Sequence, residues 1–120
     1  MTSPRTVNLL QLPDSLDELE WEDHSSHGRQ GARIHYLFRD EARGHRVALV
    51  HCRPGTHAKP HRHAGHESIL VLEGGFQDDF GRYEKGDLAV FPAGSQHGWS
   101  SPQGGLMYVV WGGPVTALAG

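Results

Sequence analysis

The sequence predicts an all-β fold, a barrel formed by a single domain. The chain has 120 residues, which suffices for one hydrophobic core. Short segments in which apolar and polar residues alternate are separated by turn residues at intervals of roughly 8–12 residues, the spacing typical of β sandwiches and barrels. The 16 glycines and 7 prolines favour many turns between short strands over long helices.

The composition argues against several classes of partner. The formal net charge of −3 leaves no basic surface for nucleic acid. No apolar segment approaches the roughly 20 residues that a membrane span requires. The N-terminal segment has no long apolar core and no small-residue cleavage site of the kind found in signal peptides. The single cysteine, Cys52, cannot form an internal disulfide. We therefore expect a cytoplasmic protein that binds neither nucleic acid nor membranes.

Residues 1–30 form a polar lead-in segment before the barrel domain, which we place at 31–120. Within the segment, Leu16 and Leu19 are one helical step apart, and Asp14 or Ser15 offers a helix cap. This pattern favours a short helix or turn over 13–21. The residues at 25–31, SSHGRQG, predict a loop.

The barrel domain begins with two predicted strands. Ile34, Tyr36 and Phe38 alternate with neighbours of the opposite face, which is the period of a half-buried strand. A second strand is predicted over 46–53 and ends at Pro54-Gly55. Further strands are predicted over 67–73, 88–91, 96–100 and 105–111, with a small hairpin over 76–84 and a bend or bulge at 74–75.

Four histidines lie within the ten residues from His57 to His66, immediately before the apolar run at 69–72. On a strand, positions two apart point to the same face, so His61 and His63 can converge on one point. Glu67 has the same parity, and a turn at 64–65 can bring its carboxylate beside the two rings. Two imidazoles and a carboxylate suit a divalent transition metal.

The competing interpretation is that these are solvated loop histidines, and for any one of them alone that interpretation is the better one. It does not explain the set. The apolar run after Glu67 must enter the core, so an unpaired Glu67 would be costly. In addition, the turn at 92–94 precedes His97, and a hairpin partner of the first histidine strand can place His97 opposite His61 and His63.

These two stretches resemble the two signature motifs of the cupin superfamily. The first motif, Gly-x5-His-x-His-x3-Glu-x6-Gly, is matched by Gly55, His61, His63, Glu67 and Gly74. The second, Gly-x5-Pro-x-Gly-x2-His-x3-Asn, is matched by Gly86, Pro92, Gly94 and His97, with Ser101 in place of the usual asparagine. The resemblance implies a double-stranded β-helix, or jelly-roll, cupin barrel that is usually a homodimer. It also implies one divalent transition metal per chain bound by His61, His63, Glu67 and His97, without distinguishing Fe, Zn, Mn, Ni or Cu.

Within the superfamily, residues 73–105 resemble the cupin domain of ChrR-type anti-sigma factors and their stand-alone relatives. Some of those relatives look like dioxygenases that split diketones or hydroxylated aryl ketones. The resemblance therefore implies a metal-dependent, dioxygenase-like enzyme acting on a small dicarbonyl or phenolic compound. The alternative is a non-catalytic, zinc-bound sensor or small-molecule-binding module. A sigma-factor role is not expected, because the 30 cysteine-free lead-in residues are too few for the zinc-binding helical domain of ChrR.

Other residues near the motifs remain candidates of lower rank. His57, across a loop from His61, and Trp99, which shares the strand face of His97, are candidate pocket residues. His66 precedes Glu67 and should face away from the site. Cys52 is expected to be a buried structural thiol. The sequence identifies no catalytic residue.

Overall fold

A computed structural model of the chain describes residues 3–25 and 30–118, with the backbone alone described for Gln30. Two 3₁₀ helices, Leu12–Asp14 and Leu16–Glu18, precede the strands. The strands are β1 (Glu22–Asp23), β2 (Gln30–Asp40), β3 (His45–His63), β4 (Glu67–Asp78), β5 (Gly81–Glu84), β6 (Leu88–Phe91), β7 (Gln96–Ser101), β8 (Gly105–Gly112) and β9 (Val115–Ala117). Most of the loop predicted over 25–31 lies outside the described residues.

The long strands β3 and β4 close the sheet into a barrel. Residues 45–52 of β3 pair with β8, and residues 56–62 pair mainly with β7. Strand β4 pairs with β8 over 67–74, and its Gln77 pairs with Ser100 of β7. The ladder β3–β8–β4–β7 therefore returns to β3. All pairs are antiparallel, and this arrangement confirms the predicted all-β jelly-roll fold.

Strands β3 and β4 are longer than the sequence predicts because glycines bend them without ending them. The predicted stop at Pro54-Gly55 is wrong: Gly55 has φ +89°, and β3 continues through it to His63. Gly74, with φ +66°, lies likewise inside β4, next to a register shift against β8 between Val71 and Glu73. A left-handed backbone conformation at glycine lets each strand leave one half of the barrel and enter the other.

The short strands β6, β7 and β8 lie where they are predicted, whereas three details differ. The predicted helix or turn over 13–21 is two separate 3₁₀ helices. Strands β1 and β9 are additional. Phe38 is 52% exposed, because a register shift between β2 and β3 follows Tyr36 and breaks the predicted alternation.

Two apolar clusters stabilise the barrel. The interior cluster contains Ala32, Ile34, Ala48, Val50, Cys52, Ile69, Val71, Phe76, Phe91, Met107, Val109 and Trp111. The second cluster lies on the outer face of the sheet, where Leu12 packs on Leu49 and Leu106. Other residues of the lead-in segment, Leu9, Leu16, Leu19 and Trp21, pack around it. The lead-in segment therefore covers an apolar outer face, which explains why β3 reads as a continuous apolar run.

None of the described helices has the length and apolar character that crossing a membrane requires.

Candidate metal centre

The two sequence motifs meet at one end of the barrel. His61 and His63 lie near the end of β3, Glu67 begins β4, and His97 lies in β7 directly opposite His61 in the ladder. The turn between β6 and β7 is fixed to β3 by backbone hydrogen bonds, from His63 N to Ser95 O at 2.9 Å and from Gly94 N to His63 O at 2.8 Å. Hydrogen bonds between the two motifs therefore bring the four side chains together, as the sequence predicts.

The four side chains are buried and converge. The three imidazole rings form a nearly equilateral triangle, with centroid distances of 5.0, 4.8 and 4.9 Å. One candidate ligand atom from each of the four residues lies within 4.8 Å of the others. Oε1 of Glu67 is 3.1 Å from Nε2 of His63 and 3.6 Å from Nε2 of His97. Two ligands each about 2.1 Å from one zinc ion would lie roughly 3.0–3.4 Å apart, so these separations suit a shared cation.

Hydrogen bonds on the other ring nitrogen orient each imidazole. Nδ1 of His61 donates to the Lys59 carbonyl at 3.0 Å, and Nδ1 of His97 donates to Oδ2 of Asp78 at 3.0 Å. Nδ1 of His63 is hydrogen-bonded to Oγ of Ser95, also at 3.0 Å. Such partners are typical of metal-binding histidines, because they fix the ring and leave Nε2 directed at the ion.

Three of the converging atoms make no hydrogen bond within the described part of the chain. They are Nε2 of His63, Oε1 of Glu67 and Nε2 of His97, all fully buried. The 3.1 Å approach of Glu67 to His63 is a close contact between them rather than a hydrogen bond. Buried polar atoms without partners are costly and rare, and a cation between these atoms would satisfy all three. The residues therefore fit a divalent metal.

Two of the four candidate ligands, His61 and Glu67, are in the form that binds a cation at neutral pH. Burial lowers the pKa of His61 to about 4, so this ring is uncharged. Burial alone would raise the pKa of Glu67, but His63 and His97 outweigh it and lower that pKa to about 2. For His97, burial lowers the pKa, whereas Glu67 and Asp78 raise it, and the net shift is upward. An ionised carboxylate and a neutral imidazole are the forms that bind a cation.

A cavity of about 30 Å³ adjoins the cluster inside the barrel. His61 and Glu67 are among the residues that line it. The remaining lining residues are His24, Val50, Cys52, Ile69, Phe76, Trp99, Met107, Val109 and Trp111. Cys52 is buried, as expected. The cavity is therefore largely apolar, and His24, His61 and Glu67 are its most polar lining residues.

The candidate pocket residues have different positions. Trp99 lines the cavity beside the cluster. His57 is exposed and lines a surface depression with Arg53 and Gly55, so it is not among the residues around this cavity. His66 is also exposed, and its ring lies against Gly112 on the other side of the strand from the cluster.

Two residues at the site were not identified from the sequence. The carboxylate of Asp78 has 0% exposure and accepts the hydrogen bond from His97. Its position in an Asp-Asp pair before a glycine turn predicts a capping role but gives no indication of the contact with β7. His24, from the lead-in segment, packs edge-on against Trp111 with 6.2 Å between ring centroids. Nothing in the sequence around His24 indicates that it lies against the barrel.

Solved structures with this fold include enzymes and a regulatory complex. A proposed acetylacetone dioxygenase from Methylibium petroleiphilum PM1 has a TM-score of 0.80 and 17% identity, over 99% of this chain and 83% of that chain. An acetylacetone dioxygenase from Acinetobacter johnsonii has a TM-score of 0.67 and 16% identity, with the same coverage. The complex of SigE with the anti-sigma ChrR from Rhodobacter sphaeroides has a TM-score of 0.69 and 20% identity, over 83% of this chain and 53% of the matched chain. At identities of 16–20%, the structural similarity shows that these proteins share a fold and shows nothing about a shared function.

No curated protein sequence matches the chain. The profile of one family, described as the ChrR Cupin-like domain, matches residues 14–116. This match includes both histidine motifs, every strand of the closed barrel and most of the lead-in segment that covers it. The chain therefore belongs to the ChrR Cupin-like domain family.

Proposed function

We propose that the chain is a mononuclear metal-dependent enzyme of the non-haem iron dioxygenase type. Its ion would be held by His61, His63, Glu67 and His97, and its substrate would be a small dicarbonyl or phenolic compound. The observation that carries the proposal is the convergence of three oriented imidazoles and one ionised carboxylate at the wall of an apolar cavity. The fold likeness to two acetylacetone dioxygenases supports the choice of reaction class.

One group of residues would bind the ion, and another group lines the cavity beside it. The three rings are fixed through Nδ1, so the ligand set is formed before an ion arrives. When bound, iron(II) would supply a Lewis acid and a one-electron redox centre beside the cavity. The apolar side chains of the cavity, among them Phe76, Trp99 and Trp111, would exclude water from a bound substrate and pack on its carbon skeleton.

The cavity lining also limits the charge of the substrate. No lysine or arginine occurs among the described residues that line it, and Glu67 contributes the one carboxylate. A second anionic group on the substrate, away from the ion, would meet apolar side chains or the imidazole of His24 and no fixed positive charge, so it would bind poorly. The proposed substrate is therefore a compact molecule whose oxygen atoms face the ion and whose remainder is uncharged.

The second candidate is a zinc-bound, non-catalytic sensor or small-molecule-binding module. Two observations favour this candidate. The family to which the chain belongs is described as the ChrR Cupin-like domain. In addition, a cavity of about 30 Å³ leaves little room for a substrate beside the ion. In this alternative the same four residues hold zinc permanently and the cavity serves recognition only. The two candidates share the metal centre and differ in whether substrate turnover occurs.

Metal analysis combined with oxygen uptake distinguishes the candidates. The protein is purified without added metal, its metal content is measured, and it is then reconstituted anaerobically with iron(II). Oxygen consumption is followed against a panel of diketones and catechols. Uptake that requires iron(II) and is abolished in Glu67→Gln supports the enzyme. Tight zinc retention without oxygen uptake under any metal supports the sensor, and no metal binding at all contradicts both.

We also propose that the protein forms a homodimer in the cytoplasm. Strand β6 pairs with β4 alone among the described strands, and its Leu88 and Val90 are 62% and 61% exposed. An apolar edge strand of this kind favours association with a second copy. Sedimentation velocity at micromolar concentration tests the dimer, and charged substitutions at Leu88 and Val90 should then yield a monomer.

A further inference from the structure

Asp78, at the end of β4, links the tip of a hairpin to one of the candidate ligands. Its Oδ1 accepts hydrogen bonds from the backbone N–H groups of Phe80 and Gly81, at 2.9 and 3.2 Å. The same oxygen accepts a third hydrogen bond, at 3.0 Å, from the hydroxyl of Tyr83. Its other oxygen, Oδ2, accepts from Nδ1 of His97 at 3.0 Å. The carboxylate is also fully buried. Both of its oxygens therefore have hydrogen-bond partners within the protein.

We propose that Asp78 is a positioning residue for the metal centre: by accepting from Nδ1 of His97, it keeps the ring proton there and directs the lone pair of Nε2 at the ion. This inference rests on the proposed metal-binding function. It adds the end of β4 and its turn into β5, around Asp78 and Tyr83, to the centre.

The arrangement of donors around Asp78 allows only one tautomer of the neutral ring. Three donors point at Oδ1, so this side of the group must be an acceptor. Oδ2 is also an acceptor as long as the carboxylate is ionised, so Nδ1 of His97 must carry a hydrogen. The proton is then absent from Nε2, and that nitrogen is free to bind a cation.

Packing around the hairpin keeps the carboxylate in place. Phe76 of β4 pairs with Tyr83 of β5 in the ladder, and their rings stack with centroids 4.6 Å apart. The ring of Phe91 lies 6.1 Å from Tyr83 and 4.5 Å from His97, so it packs against both. Rigid aromatic contacts on both sides therefore leave the Asp78–His97 pair little freedom to rearrange.

The Asp78→Asn substitution tests this role because it replaces one acceptor with a donor at nearly constant shape. The amide oxygen must face the three donors of the hairpin, so the NH₂ group faces His97. Nδ1 then has to accept, and the ring proton moves to Nε2, where it blocks the ion. Asp79→Asn, at the exposed neighbouring position, is the matched control with the same change of charge.

Two measurements are made on each protein. Nitrogen-15 NMR of the metal-free protein at alkaline pH, where the ring is neutral, reports the tautomer of His97. Competition with a chromophoric chelator reports the affinity for Zn²⁺. The wild type and Asp79→Asn should show the Nδ1–H tautomer and equal Zn²⁺ affinity. Asp78→Asn should show the Nε2–H tautomer and bind Zn²⁺ about 10–100-fold more weakly.

The outcomes separate this inference from the proposed function. Wild-type protein that does not bind Zn²⁺ contradicts the metal centre itself. Wild-type protein that binds Zn²⁺ but carries the Nε2–H tautomer when metal-free overturns the positioning role, and this observation needs no variant to fold. An Asp78→Asn protein that keeps both the Nδ1–H tautomer and wild-type Zn²⁺ affinity overturns it as well.

Discussion

His63 and His66 are neighbours in the sequence, but their environments differ completely. His63 is 1% exposed and its Nε2 faces Glu67, whereas His66 is exposed beside Gly112. We expect His63→Ala to lower the bound metal per chain at least tenfold, because it removes one of four ligands and leaves a gap in a closed site. His66→Ala, the matched control, should leave metal content unchanged. Equal losses in the two variants would show that the strand face is assigned wrongly.

The buried His61 gives the metal-free protein a specific pH dependence. Because the pKa falls from 6.5 in the unfolded chain to about 4 in the folded one, the unfolded state binds more protons between these values. The free energy of unfolding should therefore decrease as the pH falls from 6.5 to 4, by up to about 3 kcal/mol. The upward shift at His97 acts oppositely, because its contribution is lost as the pH rises above 6.5.

Urea denaturation of the chelator-treated protein at several pH values measures this dependence. His61→Gln serves as the control, since it removes the titrating ring. The variant should lose much less stability between pH 6.5 and 4. A wild type whose unfolding free energy is constant over that interval would contradict the burial of a neutral His61.

For individual residues, the sequence predicts that the four candidate ligands converge, but it does not predict the residues that support them. His61, His63 and Glu67 are separated by even numbers of residues, and side chains at such positions lie on the same face of a strand. Their shared face can therefore be predicted from the sequence. Asp78 and Asp79 are adjacent residues of the same type, so the sequence does not distinguish their roles. Only closure of the barrel, which brings β4 against β7, distinguishes the buried carboxylate from the exposed one. Such a contact has no local signature.

At the scale of elements, the bends in β3 and β4 decide whether the motifs meet. A Cβ atom at Gly74, where φ is +66°, would overlap the carbonyl oxygen of Gly104 on the neighbouring chain segment. Gly86 has a similar φ of +92°, but a Cβ atom there would meet nothing within 4 Å. The two positions therefore separate the cost of backbone strain from the cost of steric overlap.

We expect Gly74→Ala to destabilise the protein by about 3 kcal/mol or more, since overlap with backbone adds to the left-handed strain. Gly86→Ala should cost only about 1–2 kcal/mol, the strain alone. Thermal or chemical unfolding of the two variants makes the comparison. Similar losses would indicate that β4 and the segment at Gly104 can separate to admit a side chain at position 74.

The predicted strand ends are correct at 85–87, Lys-Gly-Asp, and at 92–95, Pro-Ala-Gly-Ser. The end predicted at Pro54-Gly55 is wrong, because this pair lies within a strand that bends. At Pro54-Gly55, the missing N–H and the positive φ do not end the ladder, because both residues are exposed at the bend. Strand β9 was missed because its three residues pair with the end of β3 only once the barrel is closed.

For the whole molecule, a metal ion bound at the proposed centre would join three strands of the barrel and should contribute to global stability. Its four residues belong to β3, β4 and β7, so an ion would join three strands. An ion present at 100 times its dissociation constant stabilises the folded state by about 2.7 kcal/mol, which corresponds to roughly 10 °C in Tm for a domain of this size. Chelation should therefore lower the Tm of the metal-loaded protein by about this amount.

Differential scanning calorimetry with and without chelator measures the effect. His63→Ala provides the control, because its Tm should not respond to the chelator. A wild-type Tm that ignores chelators would mean that the site is not occupied in solution.

We propose above all that three imidazoles from two hairpins and one carboxylate share a single cation. Anomalous diffraction at the absorption edge of the bound metal, from crystals of the metal-loaded protein, tests it most directly. We expect one anomalous peak per chain, about 2.0–2.2 Å from Nε2 of His61, His63 and His97 and from a carboxylate oxygen of Glu67. A peak elsewhere, or one that contacts only a single one of these side chains, would contradict it.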